Sequence, residues 1–364
     1  MRYEKRELIE NQTIIDKDLM DGIQDGIVNA HHIIMPDETM YYAACGDSIT
    51  HANHKGVTEI AETDEFYPID HTQGTANWNR KNYAYYIAKR NGLKWANYGY
   101  GGTTLHSCHP KGHEAAGSAR TVPFVEDRIN QLKADIDWDY ISIFFGYNDV
   151  TYGPYQQKDF WLTETYGTEL GYPISTAQIG AAGFADAEQK AACDAATGTV
   201  GGVAYDNADD YFFAKFIGTL DDTETTTFLG AYNYALKYLL TKYRKCKILI
   251  VIPYIGGTVT TRTLMRDSMK ALAKKWMVSY IDFNDIPYWF YSIERTKGYT
   301  GYKAVTFLNP DSEDGRWYCS NGTTSYAGTV EGYNHAKFTA DGTHPNNLGY
   351  ITISGPIEKA LLNS

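Results

Sequence analysis

The chain is poor in cysteine, and the five it has are scattered. Cys45, Cys108, Cys193, Cys246 and Cys319 form an odd set without a CxxC pair, which argues against a disulfide framework and against a structural zinc site. No stretch approaches the ~18 consecutive apolar residues of a membrane-spanning helix, so no membrane span is expected. The start, Met1-Arg2-Tyr3-Glu4-Lys5-Arg6, leads into polar sequence without the apolar run of a signal peptide; none is expected in this chain, and the compartment stays open. Positive charge is short as well. With 33 Lys and Arg against 44 Asp and Glu, the net charge is −11, which argues against nucleic acid or an anionic membrane surface as the main partner. His51, His54, His71, His106, His109 and His113 are spread without HExxH spacing, and the acidic clusters Asp206–Asp210 and Asp221-Asp222 lack the twelve-residue EF-hand pattern. No metal and no cofactor is expected.

What is present is a hydrophobic content of 43%, enough for a sizeable core, and 31 tyrosines. Residues 1–38 carry Leu8, Ile9, Ile14, Ile15, Leu19, Met20, Ile23, Ile27 and Val28 at loosely helical spacing among charges. They read as an amphipathic arm or connector, able to dock to a larger assembly or to self-associate. From there on, 39–364 reads as one domain. Strand-like runs at Tyr41–Cys45, Trp95–Tyr98, Tyr140–Phe145, Lys247–Pro253 and Val278–Phe283 alternate with helical patterns at Trp78–Arg90, Val122–Ala134, Phe228–Tyr243, Arg262–Trp276 and about Asn347–Leu362. The run Ile248-Leu249-Ile250-Val251-Ile252 is continuously apolar, as in a parallel strand covered on both faces. The alternation predicts a three-layer α/β/α domain on a five-stranded parallel sheet. Two segments, about 150–226 and 284–338, break the rhythm and read as long insertions over the C-terminal strand ends.

Four motifs fall where this alternation puts loops at one edge of the sheet: Gly46-Asp47-Ser48, Asn97-x-Gly99-x-Gly101-Gly102, Gly146-Tyr147-Asn148-Asp149 and Asp341-x-x-His344. A serine hydroxyl needs a base to become a nucleophile, and an imidazole titrates in the right range. Ser48 and His344 are therefore the candidate pair, with Asp341 to orient the imidazole if its segment turns tightly. Candidate oxyanion donors are the Ser48 and Gly102 N–H groups and the Asn148 side-chain amide. Asp47, Tyr147 and Asp149 flank these groups and are candidate substrate contacts. Singly each motif has an ordinary alternative as a turn, a helix cap or a surface histidine. The second lacks the lysine and spacing of a phosphate loop.

In combination and order the four blocks resemble the SGNH, or GDSL, hydrolases. The resemblance covers the sheet and its helices, but neither the arm nor the insertions. It implies a flavodoxin-like sheet of order 2-1-3-4-5, Ser48 as nucleophile, His344 as base, Asp341 as its orienter, and Ser48, Gly102 and Asn148 as oxyanion donors. Ile49 stands where the family name has leucine, and Tyr147 where the family often has a small residue. The expected function is a serine esterase that removes short acyl groups, acetyl first among them, from a carbohydrate. The sugar is suggested by aromatic residues in the insertions, Tyr152, Tyr155, Trp161, Tyr166, Tyr288, Trp289, Trp317 and Tyr318, whose flat faces suit sugar rings. The alternatives are a lipase, lysophospholipase or thioesterase on a longer acyl chain, and a non-catalytic binding or structural module on a hydrolase fold.

Overall fold

The computed structural model describes residues 39–54, 57–71, 79–107, 123–167, 187–253, 259–285, 307–308, 316–317 and 344–363. The expected arm at 1–38, Asp341 and nearly all of the 284–338 insertion lie outside them. In chain order the first elements are β1 (Tyr41–Gly46), α1 (Ser48–His51), β2 (Asp70–His71), α2 (Tyr83–Asn91), β3 (Lys94–Gly99), β4 (Tyr140–Phe144) and α3 (Tyr147–Tyr166). Then come α4 (Ala187–Asp194), β5 (Gly198–Val200), β6 (Val203–Tyr205), α5 (Ala208–Ile217), α6 (Phe228–Lys242) and β7 (Lys247–Ile252). The rest are α7 (Val259–Trp276), β8 (Ser279–Asp282), β9 (Phe307–Leu308), β10 (Arg316–Trp317) and α8 (Asn347–Leu362).

The main sheet runs β2-β3-β1-β4-β7-β8, every pairing parallel. Its five long strands have the order 2-1-3-4-5, and the two-residue β2 adds an edge beside β3. Side chains alternate across a strand, and here that alternation sorts the core into two layers. Ala43, Cys45, Ile141, Ile143, Ile248, Ile250 and Ile252 face one cluster, closed by α6, α7 and α5 through Leu236, Met269 and Phe216. Tyr42, Ala44, Trp95, Leu249 and Val251 face the other, closed by α2 and α8 through Tyr83, Ile87, Ile353 and Ile357. This is why β7 can be apolar from Ile248 to Ile252: both of its faces are covered. The last helix is pinned at its far end, where Arg90 Nε and Asn91 Nδ2 donate to the Glu358 carboxylate at 2.6 and 2.7 Å. No helix among the described residues is long and apolar enough to cross a membrane.

Two expectations change. The described part of 150–226 is not aperiodic: the 20-residue α3, which begins at Tyr147, continues into it to Tyr166, and α4, a β5–β6 hairpin and α5 come after. The Gly153-Pro154 pair disguises α3, because glycine and proline weaken any helical pattern. Packing decides instead, since a Cβ at Gly153 would lie 1.9 Å from the Phe216 ring. Tyr152, Tyr155, Leu162, Cys193 and Phe212 form a small core for this insertion, with Trp161 against it, so Tyr152 and Tyr155 are packing residues rather than an exposed sugar platform. The helix expected over Val122–Ala134 is, in the described part, a π turn at Phe124–Arg128 followed by a 3-10 turn at Ile129–Gln131.

α1 lies directly on the end of β3. A Cβ at Gly99 would sit 2.2 Å from the His51 nitrogen and 2.5 Å from the Thr50 carbonyl carbon, both backbone atoms that no rotamer change can move aside. Gly99→Ala is expected to cost about 1–3 kcal/mol or more, as overpacking against rigid neighbours does, read as a lower urea midpoint. A midpoint equal to that of the unsubstituted protein would mean that α1 can back away from the sheet.

Candidate active site

Ser48 opens a helix of four residues, too short to satisfy its own ends. The surroundings satisfy them. Asp47 Oδ1 accepts the Ile49 N–H at 3.0 Å as the N-cap. The Ser48 carbonyl accepts the Ala52 N–H at 2.9 Å, with Ala52 in the left-handed region at φ 62°. The Ile49 carbonyl accepts from the Tyr350 hydroxyl at 2.6 Å, the Thr50 carbonyl from Asn82 Nδ2 at 2.6 Å, and the His51 carbonyl from Asn97 Nδ2 at 3.5 Å. Side chains from α8, the start of α2 and β3 therefore hold the serine's helix in place. Asn97 also accepts the Gly99 N–H at 3.0 Å, which ties its motif to the same corner.

His344 Nε2 lies 2.9 Å from Ser48 Oγ, across 296 positions of sequence. A hydroxyl that donates to an unprotonated Nε2 is arranged to pass its proton to the imidazole. Asp341 lies outside the described residues. The His344 ring packs on His54, with centroids 4.4 Å apart and planes tilted by 33°. His54 is itself tethered, 3.0 Å from the Tyr350 hydroxyl through Nε2. Since that hydroxyl gives its proton to Ile49, it accepts from His54, so Nε2 of His54 carries a hydrogen.

The three expected oxyanion donors follow the ends of neighbouring strands: Ser48 opens α1 after β1, Gly102 lies in the turn after β3, and Asn148 is in the first turn of α3 after β4. Gly102 takes φ +78°, a conformation that favours glycine. The flanking N–H groups are engaged: Gly101 donates to His51 Nδ1 at 3.2 Å, and Thr103 to the Tyr100 carbonyl at 3.4 Å. Asn148 Nδ2 donates to the Thr103 carbonyl at 2.9 Å. An amide nitrogen carries two protons, so this bond orients the group without exhausting it.

Asp47 and Asp149, candidates for substrate contact, are buried instead, with exposures of 1% and 0%. Each uses its Oδ1 to accept backbone N–H groups, Asp47 at the start of α1 and Asp149 in the loop after β3. Asp149 Oδ1 accepts from the Leu105 and His106 N–H groups at 2.8 and 3.1 Å and from His106 Nδ1 at 2.6 Å, which ties the loop after β3 to α3. Tyr147 is half-buried and packs on the layer that α2 and α8 cover. Burial pushes the Asp47 carboxyl up to about 7, against the pull of the Ile49 N–H and with the Asp149 charge adding to it. Burial also draws His51 down to about 4, helped by the Arg128 and Arg80 charges. His51 therefore stays neutral near pH 7, as an acceptor for the Gly101 N–H must be. Sequence reasoning passed over His51 and His54. The spacing Ser48-x-x-His51, one turn of helix, was a usable signal for the first; nothing in the sequence marks the second.

The model of the family of GDSL-like lipases and acylhydrolases matches residues 42–355, from the second residue of β1 to about the middle of α8. The chain belongs to that family. The GDSL-like protein is thus an ester hydrolase of the esterase/lipase type. Structures similar to it include a protein from Lactobacillus plantarum, with 15% identity over 89% of this chain and 96% of that one and a TM-score of 0.41. A possible lipase from Chitinophaga pinensis has 16% identity over 88% and 96%, with a TM-score of 0.42. A carbohydrate esterase whose active site is described as displaying divergent catalytic and non-catalytic binding functions has 10% identity over 91% and 70%, with a TM-score of 0.38. No curated protein matches the chain.

Asp47 gives this GDSL-like site a pH signature in stability. An unfolded aspartate ionises near 3.9, whereas Asp47 in the fold does so at about 7. Folding therefore takes up a proton between these values, and the contribution of Asp47 to stability falls as pH rises from about 4 to about 7. Asp47→Asn keeps the acceptor for Ile49 and removes the titration. It is expected to exceed the unsubstituted protein in stability by on the order of a few kcal/mol above about pH 7, with the gap closing towards about pH 4. Urea midpoints across that range would read it, and a gap that does not change with pH would overturn it.

Proposed function

We propose that the protein is a serine esterase that releases short acyl groups, acetyl in the first place, from a carbohydrate through an acyl-enzyme on Ser48. The observation that carries this reading is the 2.9 Å approach of His344 Nε2 to Ser48 Oγ. In the proposed reaction Ser48 Oγ attacks the ester carbonyl while His344 takes its proton, and Asp341 orients the His344 ring. The carbonyl oxygen gains charge and is met by the Ser48 and Gly102 N–H groups and the Asn148 amide. His344 returns the proton to the departing sugar hydroxyl. Water, activated by the same imidazole, then releases the acid.

The short acyl group and the polar alcohol are supported by the chemistry that surrounds the pair. Among the described residues, polar rings lie beside the pair and the loop after β3: His54 packs on His344, and Tyr100 stacks on His51. Such groups can hydrogen-bond and stack on sugars, whereas a long acyl chain calls for an apolar lining.

Ser48→Ala is expected to abolish ester hydrolysis and labelling by an organophosphonate probe while leaving circular dichroism and Tm nearly unchanged. Retained activity would remove Ser48 from the mechanism. A series of p-nitrophenyl esters from acetate to dodecanoate, run beside acetylated polysaccharides, is expected to peak at acetate and to release acetate from polysaccharide. A maximum at long chains would reassign the protein to lipase or thioesterase chemistry, and silence throughout would favour a binding module. Asn148→Ala is expected to lower kcat by roughly 10²-fold, and a change confined to KM would contradict its role as an oxyanion donor.

A further inference from the structure

Arg128, in the π turn Phe124–Arg128, is only 1% exposed. Among the described residues its guanidinium has no carboxylate within ion-pair distance. It lies instead among three rings, with Cζ at 5.4, 5.7 and 5.8 Å from the centroids of Tyr100, Phe124 and Phe145. Taking a charge out of water is expensive unless its donors are used, and here both terminal nitrogens, though not Nε, donate to groups of the site: one hydroxyl and two backbone carbonyls. Nη1 donates to Thr103 Oγ1 at 2.6 Å. Nη2 donates to the Gly46 carbonyl at 3.1 Å and, in a shorter bond, to the Tyr98 carbonyl. Burial draws the guanidinium down to about 10, so it remains cationic at neutral pH.

The three acceptors belong to three separate parts of the site. Gly46 ends β1, two residues before Ser48. Tyr98 lies at the end of β3. Thr103 follows Gly102, and its carbonyl holds the Asn148 amide. The Thr103 hydroxyl passes its own proton to the Tyr100 carbonyl at 2.8 Å, which closes the turn that contains Gly102. A planar guanidinium can hold several acceptors at fixed angles, whereas an ammonium group on a flexible stem cannot.

We propose that Arg128 is a positioning residue of the oxyanion hole: it locks the Thr103 turn against the end of β1, so that the Gly102 N–H and the Asn148 amide are held in register with Ser48. This rests on the assignment of Ser48, Gly102 and Asn148 in the proposed function. Arg128 touches neither Ser48 nor His344; it acts through Thr103 and the strand ends. Oxyanion contacts strengthen only in the transition state, so the loss belongs in kcat and not in KM.

The test uses the full chain with p-nitrophenyl acetate and the variants Arg128→Lys, Thr103→Val and Thr103→Ser, each alone and in the Asn148→Ala background. Arg128→Lys and Thr103→Val are expected to lower kcat about 10- to 100-fold with KM changed less than about 3-fold, and Thr103→Ser to recover most of that loss by restoring the hydroxyl. In the Asn148→Ala background the same substitutions are expected to cost much less, because the groups act as a unit. Undiminished kcat in Thr103→Val, or losses of equal size in both backgrounds, would overturn the proposal. Thr103→Val leaves the guanidinium and its two backbone bonds in place, so it decides the matter even if Arg128→Lys does not fold. Ser48→Ala runs alongside. If it is inactive while Thr103→Val turns over normally, only the positioning role fails; if it is active, the assignment beneath it fails as well.

Discussion

The site depends on how closely one helical turn is pressed against the edge of the sheet. A Cβ at Gly46 would meet Thr50 Oγ1 at 1.9 Å and the Phe144 carbonyl at 2.7 Å, and one at Gly99 would strike the backbone of α1. Two glycines at neighbouring strand ends thus let α1 settle where a methyl group would hold it off. Everything else follows from that contact. Ser48 is carried to the strand ends, the carbonyls of α1 come within reach of Asn82, Asn97 and Tyr350, and the loop after β3 is drawn over His51.

Beneath the reacting atoms lies a layer of buried polar groups rather than an apolar floor. Asp47, His51, Arg128 and the Asp149–His106 pair are all nearly or fully inaccessible. Such groups destabilise a core when left unmet, but paired they specify a single arrangement. Three of them hold the loop after β3, and the fourth caps α1. Asp47 caps α1, His51 holds Gly101, Asp149 holds Leu105 and His106, and Arg128 spans β1, β3 and Thr103. The loop after β3 is thus tied from behind, to α1, α3 and the strand ends. Preorganisation of this kind lets dipoles act on a developing charge without first having to rearrange.

Much of this was legible in the sequence, for reasons that differ from residue to residue. Ile248–Ile252 could be placed as a central strand because only a strand covered on both faces tolerates five apolar residues in a row. Ser48 and His344 could be paired because acyl transfer needs both types and few residues supply them. Asp149 was misread because a carboxylate after an asparagine at a strand end looks the same whether it faces solvent or the orphaned N–H groups of a neighbouring loop. α3 was hidden by Gly153-Pro154, whose fit depends on the Phe216 ring about sixty residues away. Arg128 and His54 carry no local signal at all; their significance lies in partners that only the folded chain supplies.

The separation of Ser48 from His344 also bears on when the protein acquires its chemistry. Chains are made from the N-terminus at ~5–20 residues per second, and 296 positions separate the hydroxyl from the imidazole that faces it. The helix that Ser48 opens has one carbonyl held by Tyr350 of α8, so its hydrogen bonds are complete only with that helix docked. Under the proposed assignment, hydroxyl and imidazole meet only where the segment that carries His344 and α8 is seated against α1.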